Sequence, residues 1–237
     1  MTKSEKKLKT IGEIVAEDYR TAAVFEKYGI DFCCGGNVPL TTACQKNGLD
    51  VQTVQQEIEA AKSEPLDRSQ NYAAWELSFL ADYIVNTHHG YLNEEMAPIA
   101  SYAHKISDVH GGRHPEVIKI AAIFDKIVSD MTGHLIEEEE VLFPAIKRAE
   151  AVKKKGGLSV KKDSEIIRIS LEKLQGEHEE IGDAVHEIRH LANNYAIPED
   201  VCNTFVVTYK KLKEFEDDLH RHVHLENNIL FPKAMEL

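Results

Sequence analysis

The sequence predicts an all-α protein in which a four-helix bundle follows a small helical domain. A motif of the form H-x3-E-x3-L-F-P occurs twice, beginning at His134 and at His222. Apolar residues recur at steps of three and four through several long segments, as they do on the buried face of a helix. No segment shows the alternation of apolar and polar residues that is typical of a half-buried strand. A helical hairpin used twice gives a four-helix bundle.

Residues 1–62 are predicted to form the small helical domain. Thr10 and Glu13 have the spacing of a capping box at the start of a helix that we expect to continue to Gly29. A unit of about 60 residues has only a marginal core. We therefore expect it to lean on the bundle or on a second subunit.

Cys33 and Cys34 lie in the middle of this domain, in a stretch rich in turn-forming residues. Two short helices are expected after them, at about 40–46 and 50–62. Residues 63–70 contain a proline and are interpreted as a linker to the bundle.

The bundle is assigned to residues 71–237, with helices at about 71–103, 115–149, 164–193 and 198–231. We expect the proline that closes each copy of the motif to end or bend its helix. The first predicted buried stripe is Ala74, Leu77, Ala81, Ile84, His88 and Tyr91. The second is Ile120, Phe124, Ile127, Met131, His134, Glu138 and Val141.

Six ionisable residues occupy stripe positions where apolar residues belong. They are His88, His134, Glu138, His178, His222 and Glu226. A lone H-x3-E is more often a surface pair, but the duplication and the shared register favour a common site. Buried carboxylates persist when they are paired or bind a metal ion. Imidazole and carboxylate ligands from four helices predict a two-metal centre of iron, manganese or zinc.

The composition excludes several functional classes. The 237 residues carry a net charge of −12, which argues against a nucleic-acid partner. No run of apolar residues is long enough for a transmembrane helix, and the charged N-terminus does not resemble a secretory signal. Four cysteines, two of them adjacent, suit a reducing cytoplasm better than a disulfide framework.

The remaining cysteines and histidines leave alternatives open. Cys33 and Cys34 are expected to be thiols that bind a soft metal, transfer metal or are oxidised reversibly, or else a pair of small half-buried residues. Cys44 and Cys202 are expected in the core. Three histidines between the first two bundle helices either form an entry path or second metal site or cap the connection: His104, His110 and His114. Five more are expected at the surface or behind the ligands: His89, His186, His190, His220 and His224.

Several of these motifs together resemble the Repair of Iron Centers family of iron–sulfur cluster repair proteins. The stretch from Asp31 to Gly36 is similar to the N-terminal signature of that family, and the two H-x3-E-x3-L-F-P motifs are similar to its hemerythrin-like domain. His110-Gly-Gly-Arg-His114-Pro-Glu resembles one branch of the family. The resemblance implies two non-haem iron ions on the six residues above and a cytoplasmic homodimer. It also implies repair of iron–sulfur clusters damaged by nitric oxide or peroxide, with a contribution from Cys33 and Cys34.

Other functions compete with iron supply to damaged iron–sulfur proteins. The same ligands suit an enzyme that couples two NO molecules to N2O. They also suit a sensor or carrier of O2 or NO, with the N-terminal domain as its output. The simplest alternative is a helical interaction protein without metal.

Overall fold

A computed structural model describes residues 9–63, 71–157 and 161–237. Across these ranges the chain is helical, and the only extended pairing is an isolated bridge between Thr10 and Pro39. The prediction of an all-α protein is confirmed.

The helices differ in detail from the predicted ones because three wide π-helical turns interrupt them. In chain order the α-helices are α1 Ile11–Glu17, α2 Ala22–Lys27, α3 Leu40–Lys46, α4 Val51–Ala61, α5 Leu77–Ile84, α6 Gly90–His110, α7 Glu116–Glu137, α8 Phe143–Lys154, α9 Lys161–Leu191, α10 Asn203–Leu225 and α11 Phe231–Ala234. The π-helical turns are Val85–His89, Glu138–Leu142 and Glu226–Leu230.

The contacts divide the chain into two compact units. One contains the described residues up to Glu76 together with Val223–Lys233, and the other contains Leu77–His222 and Ala234–Leu237. We call them the N-terminal unit and the bundle unit. Residues 64–70 of the expected linker lie outside the described ranges, so the boundary at 63–70 stays a prediction. No helix in the described parts of the chain has the length and apolar character needed to cross a membrane.

The N-terminal unit begins with the predicted capping box. The Glu13 N–H donates to Thr10 Oγ1 at 3.2 Å, and the Thr10 N–H donates to Glu13 Oε2 at 2.8 Å. The expectation of one helix from Thr10 to Gly29 is wrong, because Asp18 is extended (φ −154°, ψ 98°) and separates α1 from α2. The Asp18 carboxylate accepts the Arg20 N–H at 3.2 Å, which stabilises the new start.

Most positions of the apolar stripes that the sequence predicts are buried, but in the first stripe Ala74 is exposed and Tyr91 is half-buried. Phe124 of α7 packs edge-on against Phe215 of α10, with their ring centroids 5.1 Å apart. The stripe of α9 is buried along its whole length: Ile167, Leu171, Leu174, His178, Ile181, Val185 and Ile188. These stripes surround the buried histidines of the bundle unit.

The π-turn Glu138–Leu142 shifts the stripe of the second bundle helix by one residue. Val141, predicted to be buried, is 37% exposed, whereas Leu142 is fully buried. Pro144 does not end the helix, because α8 continues to Lys154. The alternative expectation, that this proline bends the helix, stays a prediction. An i→i+5 turn leaves out one carbonyl acceptor of the α-helical ladder, so the missing N–H of a proline just after it costs no hydrogen bond.

A carboxylate from a distant helix caps the start of the bundle. The Leu77 and Ser78 N–H groups donate to the two oxygens of Glu150, at 2.8 and 3.1 Å. The first bundle helix therefore begins at Leu77 and not near residue 71, where the structure has only a short 3₁₀ turn over Tyr72–Ala74.

Candidate metal centre

One half of the candidate centre consists of His134, Glu138 and His178. The two Nε2 atoms lie 3.0 Å apart, and Glu138 Oε1 lies 3.3 Å from His134 Nε2. All three side chains are buried, and their ligand atoms lie within 4.8 Å of one another. His134 lies in the last turn of α7, and Glu138 opens the π-turn one helical turn later, which explains why the H-x3-E spacing brings them together.

The other half lies on the opposite side of the same carboxylate. His89 Nε2 is 3.2 Å from His222 Nε2 and 3.4 Å from Glu138 Oε2. These three ligand atoms also lie within 4.8 Å of one another. One oxygen of Glu138 thus faces His134 and the other faces His89, which is the arrangement of a carboxylate that bridges two cations.

Carboxylates behind the histidines orient the rings. His134 Nδ1 donates to Glu177 at 2.8 Å, and His89 Nδ1 donates to Glu139 at 2.8 Å. With the ring proton held on Nδ1, the Nε2 lone pair is directed into the centre. Metal-binding histidines in proteins almost always have such an outer partner.

His88 was the predicted ligand from the first bundle helix, but the structure does not group it with the others. Its Nδ1 donates to Asp218 at 3.0 Å, and its ring lies parallel to that of His222 at 5.9 Å. Its buried Nε2 atom has no hydrogen-bond partner among the described residues. The π-turn Val85–His89 buries two successive histidines, and it is His89, expected at the surface or behind the ligands, that reaches the centre.

The sequence contained a signal for His89 as well as for His88. The buried stripe after the π-turn continues through Leu92, Met96 and Ile99, not through Tyr91. Counting back from Leu92 by three gives His89, and by four gives His88. Only the extra residue of the π-turn decides between the two.

Glu226 belongs to the N-terminal unit by its contacts. It is fully buried and opens the third π-turn, one helical turn after His222 in the sequence. Its predicted role as a ligand therefore rests on the repeated motif and on its burial, and it stays a prediction.

The donor set fits metal ions such as iron. Two pairs of Nε2 atoms lie at 3.0 and 3.2 Å, and lone pairs at that separation repel unless a proton or a cation lies between them. Imidazole nitrogen and carboxylate oxygen are ligands for iron, manganese and zinc. The dry surroundings of Glu138, which is fully buried, favour a compensating positive charge.

Cys33 and Cys34 form a separate thiol loop in the N-terminal unit. Asp31 Oδ1 accepts the N–H groups of both cysteines, at 2.9 and 3.1 Å, and the Cys33 thiol at 3.1 Å. The two sulfur atoms are 3.8 Å apart, well beyond a disulfide bond. The hydrogen bond with Cys34, burial and the nearby Asp31 carboxylate raise the pKa of the Cys33 thiol. The predicted role of the pair in repair stays a prediction.

This thiol loop contacts the segment that carries Glu226, within the same unit. The Asn228 side chain donates to the Phe32 carbonyl at 3.1 Å, and that of Asn227 donates to the Cys33 carbonyl at 3.4 Å. The ring of His224 lies 5.6 Å from that of Phe32. His224 is fully buried, and this burial lowers its pKa to about 3, so the ring is neutral.

The other predicted side chains are dispersed. Cys44 is buried as expected, but Cys202 is exposed, which contradicts its assignment to the core. His104 contacts Asp125 at 3.0 Å, His110 contacts Cys202, and His114 contacts Asp200 at 3.2 Å. Among the described residues these three histidines do not combine into a metal group.

A cluster of two buried residues and one half-buried residue in the bundle unit was not anticipated. His186, Glu216 and His220 have ligand atoms within 4.8 Å of one another. The two Glu216 oxygens are held by Arg189 Nε and the Tyr195 hydroxyl, each at 2.8 Å. Because a guanidinium already neutralises this carboxylate, the cluster is an ion-pair network of the bundle. His220 is buried in it, which excludes the first of its two expected positions, at the surface or behind the ligands.

Comparison with known proteins identifies the family. Residues 80–234 match the model of the hemerythrin HHE cation-binding domain, and residues 7–62 match the ScdA N-terminal domain, described as a domain of unknown function. The chain is 32% identical over 226 residues to the iron–sulfur cluster repair protein YtfE of Cronobacter sakazakii, with 95% of each chain covered.

The chain belongs to the iron–sulfur cluster repair family. It is also 31% identical over 215 residues to a probable iron–sulfur cluster repair protein of Haemophilus influenzae, with 90% of each chain covered. YtfE of Citrobacter koseri is 30% identical over 226 residues, covering 95% of this chain and 96% of that protein. The resemblance seen in the sequence motifs and the hemerythrin-like fold are thereby confirmed. The cation-binding domain model covers the segment that contains both halves of the candidate centre.

Proposed function

We propose that this protein repairs damaged iron–sulfur clusters by supplying iron from a two-iron centre in its bundle. The observation that carries the proposal is the position of Glu138. Its two oxygens face two separate groups of histidines, at 3.3 Å from His134 and 3.4 Å from His89. The names of the relatives support the repair role, and the cation-binding domain supports the metal.

The ligand set that we propose differs from the sequence prediction at one position. His134 and His178 would hold one iron ion, His89 and His222 would hold the other, and Glu138 would supply carboxylate oxygens. Glu226 is proposed as the second carboxylate, because it repeats the spacing of Glu138 after His134. Iron held in this way supplies redox chemistry and is also the cargo to be delivered.

The proposed ligands would bind iron and would also allow its release. None of the proposed ligands is a thiolate, so the centre lacks the soft donors that hold iron in clusters. Glu177 and Glu139, which orient two of the rings, are 35% and 38% exposed, so water reaches both carboxylates. A pocket of about 280 Å³ lies beside His134 and is also lined by Asp130, Lys173 and Glu180. Negative side chains there favour the passage of a cation.

The test uses an iron–sulfur enzyme inactivated by nitric oxide. The iron-loaded protein should restore its activity and lose iron in proportion. The double variant Glu138→Leu, Glu226→Leu should restore little activity, because it lacks both of the carboxylates proposed as ligands. Equal restoration by that variant would show that the bundle metal is not the source of iron.

A second candidate function is the reduction of NO to N2O. The pocket beside His134 favours it, since a small molecule can approach the centre there. Repeated turnover with N2O production and constant iron content would support this enzyme over an iron donor. Reversible binding of O2 or NO without loss of iron would instead support a sensor.

The expected homodimer and cytoplasmic location follow from the family resemblance and stay proposals. Light scattering of the purified protein tests the first. Fractionation of cells that produce the protein tests the second.

A further inference from the structure

A cysteine–histidine pair lies in the bundle unit, away from the candidate metal centre. His110 Nε2 is 3.1 Å from the Cys202 sulfur. His110 ends α6 and Cys202 immediately precedes α10, so the pair joins the ends of two bundle helices. Cys202 is exposed, unlike the buried Cys33 and Cys44.

The surroundings of the pair favour the thiolate. The His110 hydrogen bond, followed by the N–H groups of Phe205 and Thr204, lowers the pKa of the Cys202 thiol to about 7. The start of a helix stabilises a negative charge in addition. By contrast, hydrogen bonding to Cys34 and burial raise the pKa of Cys33, and burial raises that of Cys44.

The charged side chains that the contacts bring near the pair are two carboxylates and one guanidinium. His114 lies beside His110, with ring centroids 6.3 Å apart, and the Phe205 ring packs against both, at 5.4 and 5.5 Å. His114 contacts the carboxylates of Glu116 and Asp200, at 3.0 and 3.2 Å. The Arg113 guanidinium is 80% exposed and lies 3.8 Å from Asp200. Because Asp200 already pairs with this guanidinium, the surroundings carry no excess of positive charge, and the reactivity of the pair rests on the contact between imidazole and thiol.

We propose that Cys202 and His110 form a nucleophilic thiol–imidazole pair that captures small disulfides such as glutathione disulfide. His110 accepts the thiol proton, and the Cys202 sulfur attacks one sulfur of the disulfide. A new S–S bond forms as the old one breaks, and the departing thiolate takes the proton from His110. The disulfide is the oxidant, Cys202 is oxidised to the mixed disulfide, and one small thiol is released.

A lower pKa changes the reaction rate of Cys202 in two opposite ways, through the fraction of thiolate and through the nucleophilicity of that thiolate. At pH 7 a thiol with a pKa near 7 is about half ionised, against about 3% for an ordinary cysteine, a gain of about 15-fold. The lower basicity reduces intrinsic nucleophilicity by about 5-fold. Loss of His110 should therefore slow the reaction only about 3-fold at pH 7. The midpoint of the pH profile is the sharper measurement.

The experiment uses the full-length reduced protein with excess glutathione disulfide, followed by intact mass and peptide mapping. We expect the first glutathionyl group on Cys202 and none in Cys202→Ser under the same conditions. In a second assay the rate of Cys202 alkylation by iodoacetamide is measured from pH 5 to 9. The profile of the natural sequence should have its midpoint near 7, and that of His110→Gln should lie above 8.

The matched control is His104→Gln, which removes an exposed histidine of the same helix and should leave the profile unchanged. Two results would overturn the proposal. One is first labelling of Cys34, and the other is a midpoint above 8 in the natural sequence. The second result needs no variant, so a His110 variant that fails to fold leaves the test intact.

Discussion

His89 Nε2 lies 3.2 Å from His222 Nε2, and His89 is the last residue of the π-turn Val85–His89. Its neighbour His88 instead directs Nδ1 to Asp218. The extra residue of the π-turn thus buries both histidines and selects the second for the centre. Such turns are frequent at functional sites.

The first prediction compares the two neighbouring histidines. His89→Ala should bind less iron than the natural protein, about one ion instead of two, because one half of the centre loses an imidazole. His88→Ala should keep its full iron content, since His88 contacts Asp218 and not the ligand group. Metal analysis of protein purified under anaerobic conditions measures both.

Circular dichroism is the control for this pair, because both variants should retain a helical spectrum. The assignment of His89 is contradicted if His88→Ala loses iron and His89→Ala retains it. Equal losses would indicate that both rings support the centre.

The second prediction concerns the carboxylate behind His134. Glu177→Ala removes the acceptor of the 2.8 Å hydrogen bond that fixes the ring. Loss of such an outer partner typically weakens metal binding about 10- to 100-fold. Competition with a coloured chelator gives the iron affinity of the variant. Glu179→Ala, an exposed glutamate of the same helix, is the control and should leave the affinity unchanged.

The periodicity of the sequence predicted the bundle and most of the centre. His134, Glu138 and His178 lie on uninterrupted helical stripes up to the ligand, and the structure brings all three together. A repeated motif also places equivalent residues in equivalent environments. Local spacing was therefore sufficient for these three residues.

The errors at His89 and Leu142 arise because a π-turn has no distinctive composition. After such a turn the step of three and four is displaced by one residue, so His89 and Leu142 take the positions predicted for other residues. Contacts between residues far apart in the sequence could not be predicted from the local pattern either. Nothing near Leu77 in the sequence shows that Glu150 caps its helix, and nothing near Cys202 shows that His110 lies beside it.

The third prediction is a pH dependence of stability at Glu150. Burial alone raises its pKa, but the hydrogen bonds from Ser78 and Leu77 outweigh this effect and hold the pKa below its usual value. A lowered carboxyl pKa stabilises the fold above the unfolded pKa, near 4.3, and the contribution disappears as pH falls through the folded pKa. Glu150→Gln should thus cost about 1 kcal/mol at pH 7.

Urea unfolding of both proteins at pH 7 and at lower pH measures this difference. The gap between the two free energies of unfolding should narrow as pH falls below about 4. A gap that stays constant would mean that packing of Glu150, and not its charge, is responsible.

The fourth prediction concerns the close packing of the thiol loop. A Cβ on Gly36 would lie 2.3 Å from the Phe32 carbonyl oxygen, a backbone atom that has little room to move. Gly36→Ala should therefore destabilise the N-terminal unit by about 1 to 3 kcal/mol, as overpacking usually does. Gly176→Ala is the control. It meets no atom within 4 Å in α9, and alanine there should be neutral or stabilising by up to about 1 kcal/mol. Thermal unfolding distinguishes the two variants.

The fifth prediction is that Glu138 stabilises the fold when iron is bound and destabilises it when iron is absent. Iron at about 1,000 times its dissociation constant adds about 4 kcal/mol, which raises Tm by about 10 °C in a chain of this size. In Glu138→Leu iron should add much less. Without metal the order should reverse, because leucine avoids the cost of burying an ionisable carboxylate that is fully enclosed. Calorimetry of both proteins with and without iron measures all four Tm values. A metal-free natural protein more stable than metal-free Glu138→Leu would show that the carboxylate serves the fold as well as the metal.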